Sequence, residues 1–134
     1  MVVRAMVRPP HRDRMTAATC LWLTLHLGSI HADSSYIDSN VGAGLSCDTS
    51  ENTRIVAGSY ANSVGNGTFY AGGHYLPFGE RIKFGVTGVA VTGYPQTKVL
   101  AGLSAEIPVG KHMRVGISGI LGCLVHAILQ VKLP

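Results

Sequence analysis

"IKFGVTGVAVTGYPQTKVLAGLSAEI", residues 82–107, contains two runs of alternating side chains separated by a turn. One face of the second run carries apolar residues, namely Val99, Ala101, Leu103, Ala105 and Ile107. The other face carries Lys98, Leu100, Gly102, Ser104 and Glu106. Because successive side chains of a β-strand point to opposite faces, this period of two predicts strands over 82–91 and 98–107.

The same alternation recurs along the chain after Asp33, and no segment shows a convincing helical repeat of apolar residues. Further strands are predicted at about 40–47, 53–61, 68–76, 111–118 and 121–133. Frequent glycines inside these patterns favour a small barrel over a two-layer sandwich, because glycine lets strands coil tightly. The predicted fold class is all-β, a small antiparallel meander barrel of seven or eight strands, with Tyr36–Val41 as the candidate eighth strand.

The first 32 residues have the composition of a cleavable signal peptide. A basic region, Arg4, Arg8, Arg12 and Arg14, precedes the apolar stretch of residues 15–32. Within it, the apolar run from Thr16 to Ile30 is shorter than the roughly 18 to 20 residues that a membrane-spanning helix requires. The sequence therefore predicts a signal-peptide helix over 1–32, cleavage after Ala32, a barrel domain over 33–134 and export.

The distribution of charge argues against a nucleic-acid partner. The net charge is +4, but four of the eleven basic residues lie in the predicted leader. From Asp33 onward, seven Lys and Arg face six Asp and Glu without a basic cluster, whereas nucleic-acid binding needs a basic stripe. The histidines His74, His112 and His126 lack metal-ligand spacing, and there is no phosphate-binding loop, so no metal and no cofactor is predicted.

Cysteine usage is compatible with an oxidising compartment. Removal of the leader would take away Cys20 and leave Cys47 and Cys123. These two cysteines are a candidate disulfide, and two separate buried thiols are the alternative.

Aromatic residues favour a membrane location for the barrel. Those at or near the predicted strand ends are Tyr60, Tyr70, Tyr75, Phe78 and Tyr94. Aromatic girdles occupy such positions at the two interfaces of membrane barrels. We therefore expect the outer membrane as the location, with membrane lipid or lipopolysaccharide as a partner, and a soluble periplasmic or secreted domain as the alternative.

A resemblance to a known family enters at residues 54–94. The matching motifs are Asn62-Ser63, Tyr75-Leu76-Pro77 and the glycine-rich run from Phe84 to Thr92. In these motifs the chain resembles the outer-membrane lipid A palmitoyltransferase family and related small exported β-barrel proteins.

The resemblance implies a scaffold and a set of site residues. Ser63 would match the family's serine, and Asn62 would stand where the family has an acid. The family's histidine has no counterpart between Asp33 and Ser63. We therefore predict a structural or lipid- or partner-binding role. The alternative is an acyltransferase or esterase in which Ser63 and Asn62 work with His74 or His126 as the base.

Overall fold

Eight antiparallel strands close into a barrel, and each strand pairs with its neighbours in chain order. The computed structural model describes residues 20–120 and 124–134. The strands are β1 (Leu21–His31), β2 (Gly42–Asp48), β3 (Thr53–Ala61), β4 (Gly67–Phe78), β5 (Lys83–Val91), β6 (Val99–Pro108), β7 (Met113–Ile120) and β8 (Leu124–Lys132). β1 pairs with both β2 and β8, which closes the sheet. The predicted all-β meander barrel is confirmed.

The eighth strand comes from the segment that the sequence analysis assigned to the signal-peptide helix. Residues 21–31 form β1, so the barrel begins at Leu21 rather than at Asp33. The segment Tyr36–Val41, predicted as the candidate eighth strand, belongs instead to the connection between β1 and β2. The predicted basic region before Met15 lies outside the described residues. In the part of the chain that is described, no helix is long and apolar enough to cross a membrane.

The two ends of the barrel differ in their connections. At one end, here called the turn end, β2–β3, β4–β5 and β6–β7 are joined by residues 49–52, 79–82 and 109–112. Leu21 and Lys132, at the outer termini of β1 and β8, also lie at the turn end. At the opposite end, here called the loop end, residues 32–41, 62–66 and 92–98 connect the strands.

Large apolar side chains point outward, and polar side chains fill the interior. The exposed apolar residues of the strands include Leu27, Leu45, Ile55, Phe69, Tyr75, Phe84, Val86, Val99, Leu103, Ile117 and Val125. The buried polar residues include Thr24, Ser46, Thr68, Thr87, Ser104 and Gln130. The contrast is sharp between neighbours, since Leu103 is 71% exposed and Ser104 is 8% exposed. The apolar face of residues 99–107 thus faces away from the protein.

A network of two arginines and two carboxylates fills the interior at the turn end. Arg114 Nη2 lies 2.9 Å from Asp48 Oδ1, and Arg54 Nη2 donates to Glu106 Oε1 at 3.0 Å. Arg54 Nε lies 3.0 Å from Asp48 Oδ1 but lacks the geometry of a hydrogen bond. Arg114 Nε also donates to Gln130 Oε1 at 2.6 Å. Buried charges require such pairing, and here the two signs balance.

The disulfide joins Cys20 to Cys47, with the Cα atoms 4.7 Å apart. The prediction that Cys47 pairs with Cys123 is therefore wrong, because Cys47 is bonded to Cys20. Cys123 itself lies outside the described residues. The pairing follows from register: Leu21 is opposite Cys47, so Cys20 lies beside Cys47 at the turn end. This pairing was not predicted, because Cys20 lies in the segment predicted as the leader.

Removal of this disulfide by Cys47→Ser should lower the free energy of unfolding. For a sequence separation of 27, the chain-entropy model gives a loss of about 3.5 kcal/mol. Denaturant unfolding in detergent measures the change, and reduction of the unsubstituted protein should reproduce it. An unfolding midpoint that does not respond to reductant would contradict the Cys20–Cys47 bond.

Candidate functional site

A cavity of about 80 Å³ lies inside the barrel. The apolar part of its wall is formed by Val56, Val89, Leu100, Ile120 and Ile128. Histidine, serine, threonine, tyrosine and asparagine side chains form the rest. Among the described residues that line the cavity, the polar side chains are hydroxyls, imidazoles and a carboxamide, and none is Asp or Glu.

Four cavity-lining side chains form a continuous chain of hydrogen bonds. Ser29 Oγ lies 2.8 Å from His126 Nδ1. His126 Nε2 lies 2.7 Å from His26 Nδ1, and His26 Nε2 lies 2.9 Å from the Tyr70 hydroxyl. All three distances are those of good hydrogen bonds. The cavity therefore holds a serine hydroxyl, two imidazoles and a phenol in series.

A β-bulge in β1 brings His26 and Ser29 into the same cavity. Side chains three residues apart on a regular strand point to opposite faces. Between His26 and Gly28 the register against β8 shifts by one residue, so that Ser29 is opposite His126. The bulge depends on Gly28, whose φ of +145° disfavours any residue with a Cβ.

Two further glycines make room for Tyr70. A Cβ atom on Gly58 would come within 2.8 Å of the Tyr70 hydroxyl, and one on Gly44 would clash with the same oxygen. The phenol can therefore reach across the interior to His26 on β1.

Tyr60 packs on the histidine cluster, and Tyr94 contacts Tyr60. The Tyr60 ring lies 5.1 Å from the His26 ring, centroid to centroid, and the Tyr60 hydroxyl lies 3.1 Å from that of Tyr94. The prediction that Tyr60, Tyr70 and Tyr94 belong to an outer aromatic girdle is wrong, because all three line the cavity. Tyr75 and Phe78 do face outward and are exposed.

The connection 32–41 packs against the loop end of the barrel. The Ser29 amide donates to the Asp38 carbonyl at 2.9 Å, and the Ile37 amide donates to the Ser63 carbonyl at 3.0 Å. The side chain of His31 lies 2.7 Å from Asp38 Oδ1, and this hydrogen bond lowers the pKa of the Asp38 carboxyl. These contacts tie the connection to the strand that carries Ser29.

Asn40, in the same connection, presents an acceptor without a partner. The residue is 2% exposed and lines the cavity. Its Nδ2 donates to the Ala61 carbonyl at 3.0 Å. Within the described residues, its Oδ1 makes no hydrogen bond. A buried acceptor of this kind costs about 1–3 kcal/mol unless a water molecule or a ligand satisfies it.

The sequence-predicted pair Asn62-Ser63 lies at the loop end, after β3. Asn62 has a structural role: its Nδ2 donates to Thr68 Oγ1 and to the Gly93 carbonyl, each at 3.0 Å. Its Oδ1 accepts from the backbone amides of Val64 and Asn66. With both ends of the amide engaged, Asn62 orders the loop.

Ser63 and His74 both line the cavity but lie far apart along the strands. Ser63 follows Ala61, which pairs with Gly67, whereas His74 pairs with Arg54. At about 3.3 Å per residue, the two side chains are separated by roughly 20 Å along the strands. The structure therefore does not bring His74 within hydrogen-bonding reach of Ser63.

The cavity-lining residues that were not predicted from the sequence are His26 and Ser29, both in the segment predicted as the leader. The sequence does indicate a strand here, because leucine alternates with Trp22, Thr24 and His26 over residues 21–27, LWLTLHL. A period of two distinguishes a strand from the uniformly apolar core of a signal peptide.

A comparison with models of known protein families and with curated protein sequences finds no match to this chain. Among residues 20–120 and 124–134, no three His, Cys, Asp or Glu side chains converge as a metal site. Inferences about function therefore rest on the fold and the cavity.

Proposed function

We propose that the protein is a small exported β-barrel of a Gram-negative-type outer membrane, with a structural role or a role in binding lipid or a partner. One observation carries the proposal: the apolar surface faces outward and the polar groups face inward. In water, such an arrangement would leave an exposed apolar surface far larger than monomeric soluble proteins tolerate. In a bilayer, it is the arrangement that membrane barrels adopt.

Strand length and aromatic placement support the same location. The strands have between 7 and 12 residues, and a tilted membrane strand needs about 9 to 11. Outward-facing Tyr75, Phe78 and Phe84 cluster near the turn end, as expected for side chains at a membrane interface. The resemblance to the palmitoyltransferase scaffold points to the same kind of barrel and to membrane lipid or lipopolysaccharide as its surroundings.

The ion-pair network at the turn end favours a closed barrel over a pore. Arg54, Arg114, Asp48 and Glu106 fill the lumen there, and the cavity lies toward the loop end, around Ser29, Asn40 and Ser63. We propose that this cavity is the binding site of the barrel.

An outward-facing charge tests membrane insertion. Leu103 lies within β6 and is 71% exposed. Leu103→Arg should destabilise a lipid-embedded barrel by about 2–4 kcal/mol near the bilayer midplane. The measurement is unfolding of the protein in phospholipid vesicles, followed by the loss of its heat-modifiable gel mobility.

Thr97→Arg is the matched control, because Thr97 is exposed in the connection before β6. It should leave stability nearly unchanged. If Leu103→Arg were as harmless as Thr97→Arg, or if the unsubstituted protein stayed in aqueous solution without vesicles, the alternative of a soluble periplasmic or secreted domain would hold instead.

A further inference from the structure

A serine becomes a nucleophile when a base lies within hydrogen-bonding reach and a third group orients that base. In the barrel interior both conditions are met, at a serine other than Ser63. Ser29 Oγ is 2.8 Å from His126 Nδ1, and the other nitrogen of His126 is 2.7 Å from His26 Nδ1. We propose that Ser29, His126 and His26 form a catalytic set that hydrolyses a carboxylic ester with a short acyl group.

The protons can be arranged consistently for this role. Two arrangements of the protons satisfy every contact. In one of them, the Ser29 hydroxyl donates to His126 Nδ1, and His126 Nε2–H donates to His26 Nδ1. His26 Nε2–H then donates to the Tyr70 hydroxyl. His126 is the general base, and His26, held by Tyr70, is the positioning residue that fixes the orientation and tautomer of His126.

The reaction balances with water as the only co-reactant. Ser29 Oγ attacks the ester carbonyl carbon as its proton passes to His126 Nδ1. The carbon–oxygen bond to the alcohol then breaks, and the alcohol leaves with that proton. Water attacks the acyl-serine, its proton passes to His126, and the proton returns to Ser29 as the carboxylic acid departs.

Asn40 belongs to the wall of the same cavity. Its unpartnered Oδ1 is buried in the cavity wall, and the backbone amide of Ser29 binds the same connection through the Asp38 carbonyl. A carboxamide oxygen accepts hydrogen bonds. The cavity wall therefore contains a hydrogen-bond acceptor in addition to the groups of Ser29, His126 and His26.

Cavity size limits the acyl group. A cavity of about 80 Å³ holds only several water molecules, at about 10–15 Å³ each. The wall beyond the serine is apolar, with Val56, Val89 and Leu100 among its residues. The chemistry shared by the candidate substrates is therefore an ester of a short acyl chain, either free in solution or carried on a lipid.

The first experiment identifies the nucleophile. The purified full-length protein in detergent is treated with diisopropyl fluorophosphate, and the modified residue is located by mass spectrometry. We expect one modification, at Ser29, that is absent from Ser29→Ala and reduced at least about 100-fold in rate in His126→Gln. Ser59→Ala is the matched control, because Ser59 is exposed on β3, and it should be modified as fast as the unsubstituted protein.

The second experiment measures turnover, with p-nitrophenyl butyrate as the soluble ester and dibutyroyl phosphatidylcholine as the lipid ester. Hydrolysis of either that Ser29→Ala abolishes supports the proposal and identifies the source of the ester. We expect p-nitrophenyl palmitate to react at least about 10-fold more slowly than the butyrate, because its chain exceeds the cavity. Modification at Ser63, or no modification and no hydrolysis by correctly folded protein, would overturn the proposal.

The positioning role of His26 has its own readout. In His26→Leu, kcat should fall about 10-fold or more with KM nearly unchanged, and the pH–rate profile should shift because His126 loses its partner. His26→Gln should recover part of kcat, since a carboxamide oxygen can accept from His126 Nε2–H. Equal kcat in the two variants would contradict the positioning role.

Discussion

A chain that begins at Asp33 is expected not to form the barrel. This truncation removes β1, and with it every pairing of β8 with β1 and of β2 with β1. It also removes Cys20, the disulfide partner of Cys47. The remaining strands would have two open edges, and unpaired backbone groups at such edges promote aggregation instead of closure.

Refolding into detergent micelles, followed by circular dichroism and heat-modifiable gel mobility, measures the effect. The matched control is a chain that lacks residues 1–18 and keeps all eight described strands; it should refold like the full chain. Equal refolding of the Asp33 chain would show that β1 is dispensable and would support cleavage after Ala32.

The second large effect is expected for Arg114→Met. Arg114 is nearly inaccessible, and it contacts both Asp48 and Glu106. Its guanidinium also lies 3.9 Å from the centre of the Trp22 ring. Removing one partner of a buried ion pair leaves uncompensated charge in the interior. The free energy of unfolding should therefore fall by about 3–5 kcal/mol.

Urea unfolding in detergent measures this loss. Arg81→Met is the matched control, since Arg81 is exposed in the connection between β4 and β5, and it should change the free energy of unfolding by less than about 0.5 kcal/mol. The double variant Arg114→Met/Asp48→Asn should be less destabilised than the sum of the two single variants, because it also removes the negative charge that Arg114→Met leaves in excess. Strict additivity would contradict the coupling of Arg114 to Asp48.

The strands after Asp33 were predictable because alternation is a local property. The pattern over 98–107 placed the strand within one residue of β6, Val99–Pro108, and separated its two faces correctly. The same alternation also predicts that Tyr60 and Tyr70 point into the barrel. Tyr60 shares a strand face with Arg54 and Val56, and Tyr70 shares one with Thr68. The prediction of an outer girdle rested on their position near strand ends and not on their place in the alternation, which decides the face of the sheet.

β1 was misassigned because two physical requirements produce similar compositions. A signal peptide needs a short apolar stretch after basic residues, and a strand with one apolar face also contains many leucines. Only the alternation within residues 21–27 distinguishes a strand from a signal peptide here. The prediction gave more weight to the basic residues before Met15. The error removed Cys20, His26 and Ser29 from consideration together.

The sequence by itself determined the strand type, the approximate strand bounds and the two chemically different faces. These depend on neighbouring residues along one strand. Tertiary structure alone decided that β1 closes the barrel against β8, and that a bulge at Gly28 turns Ser29 inward to meet His126, 97 residues away. Such contacts depend on register between distant strands, and closure of the whole sheet sets that register.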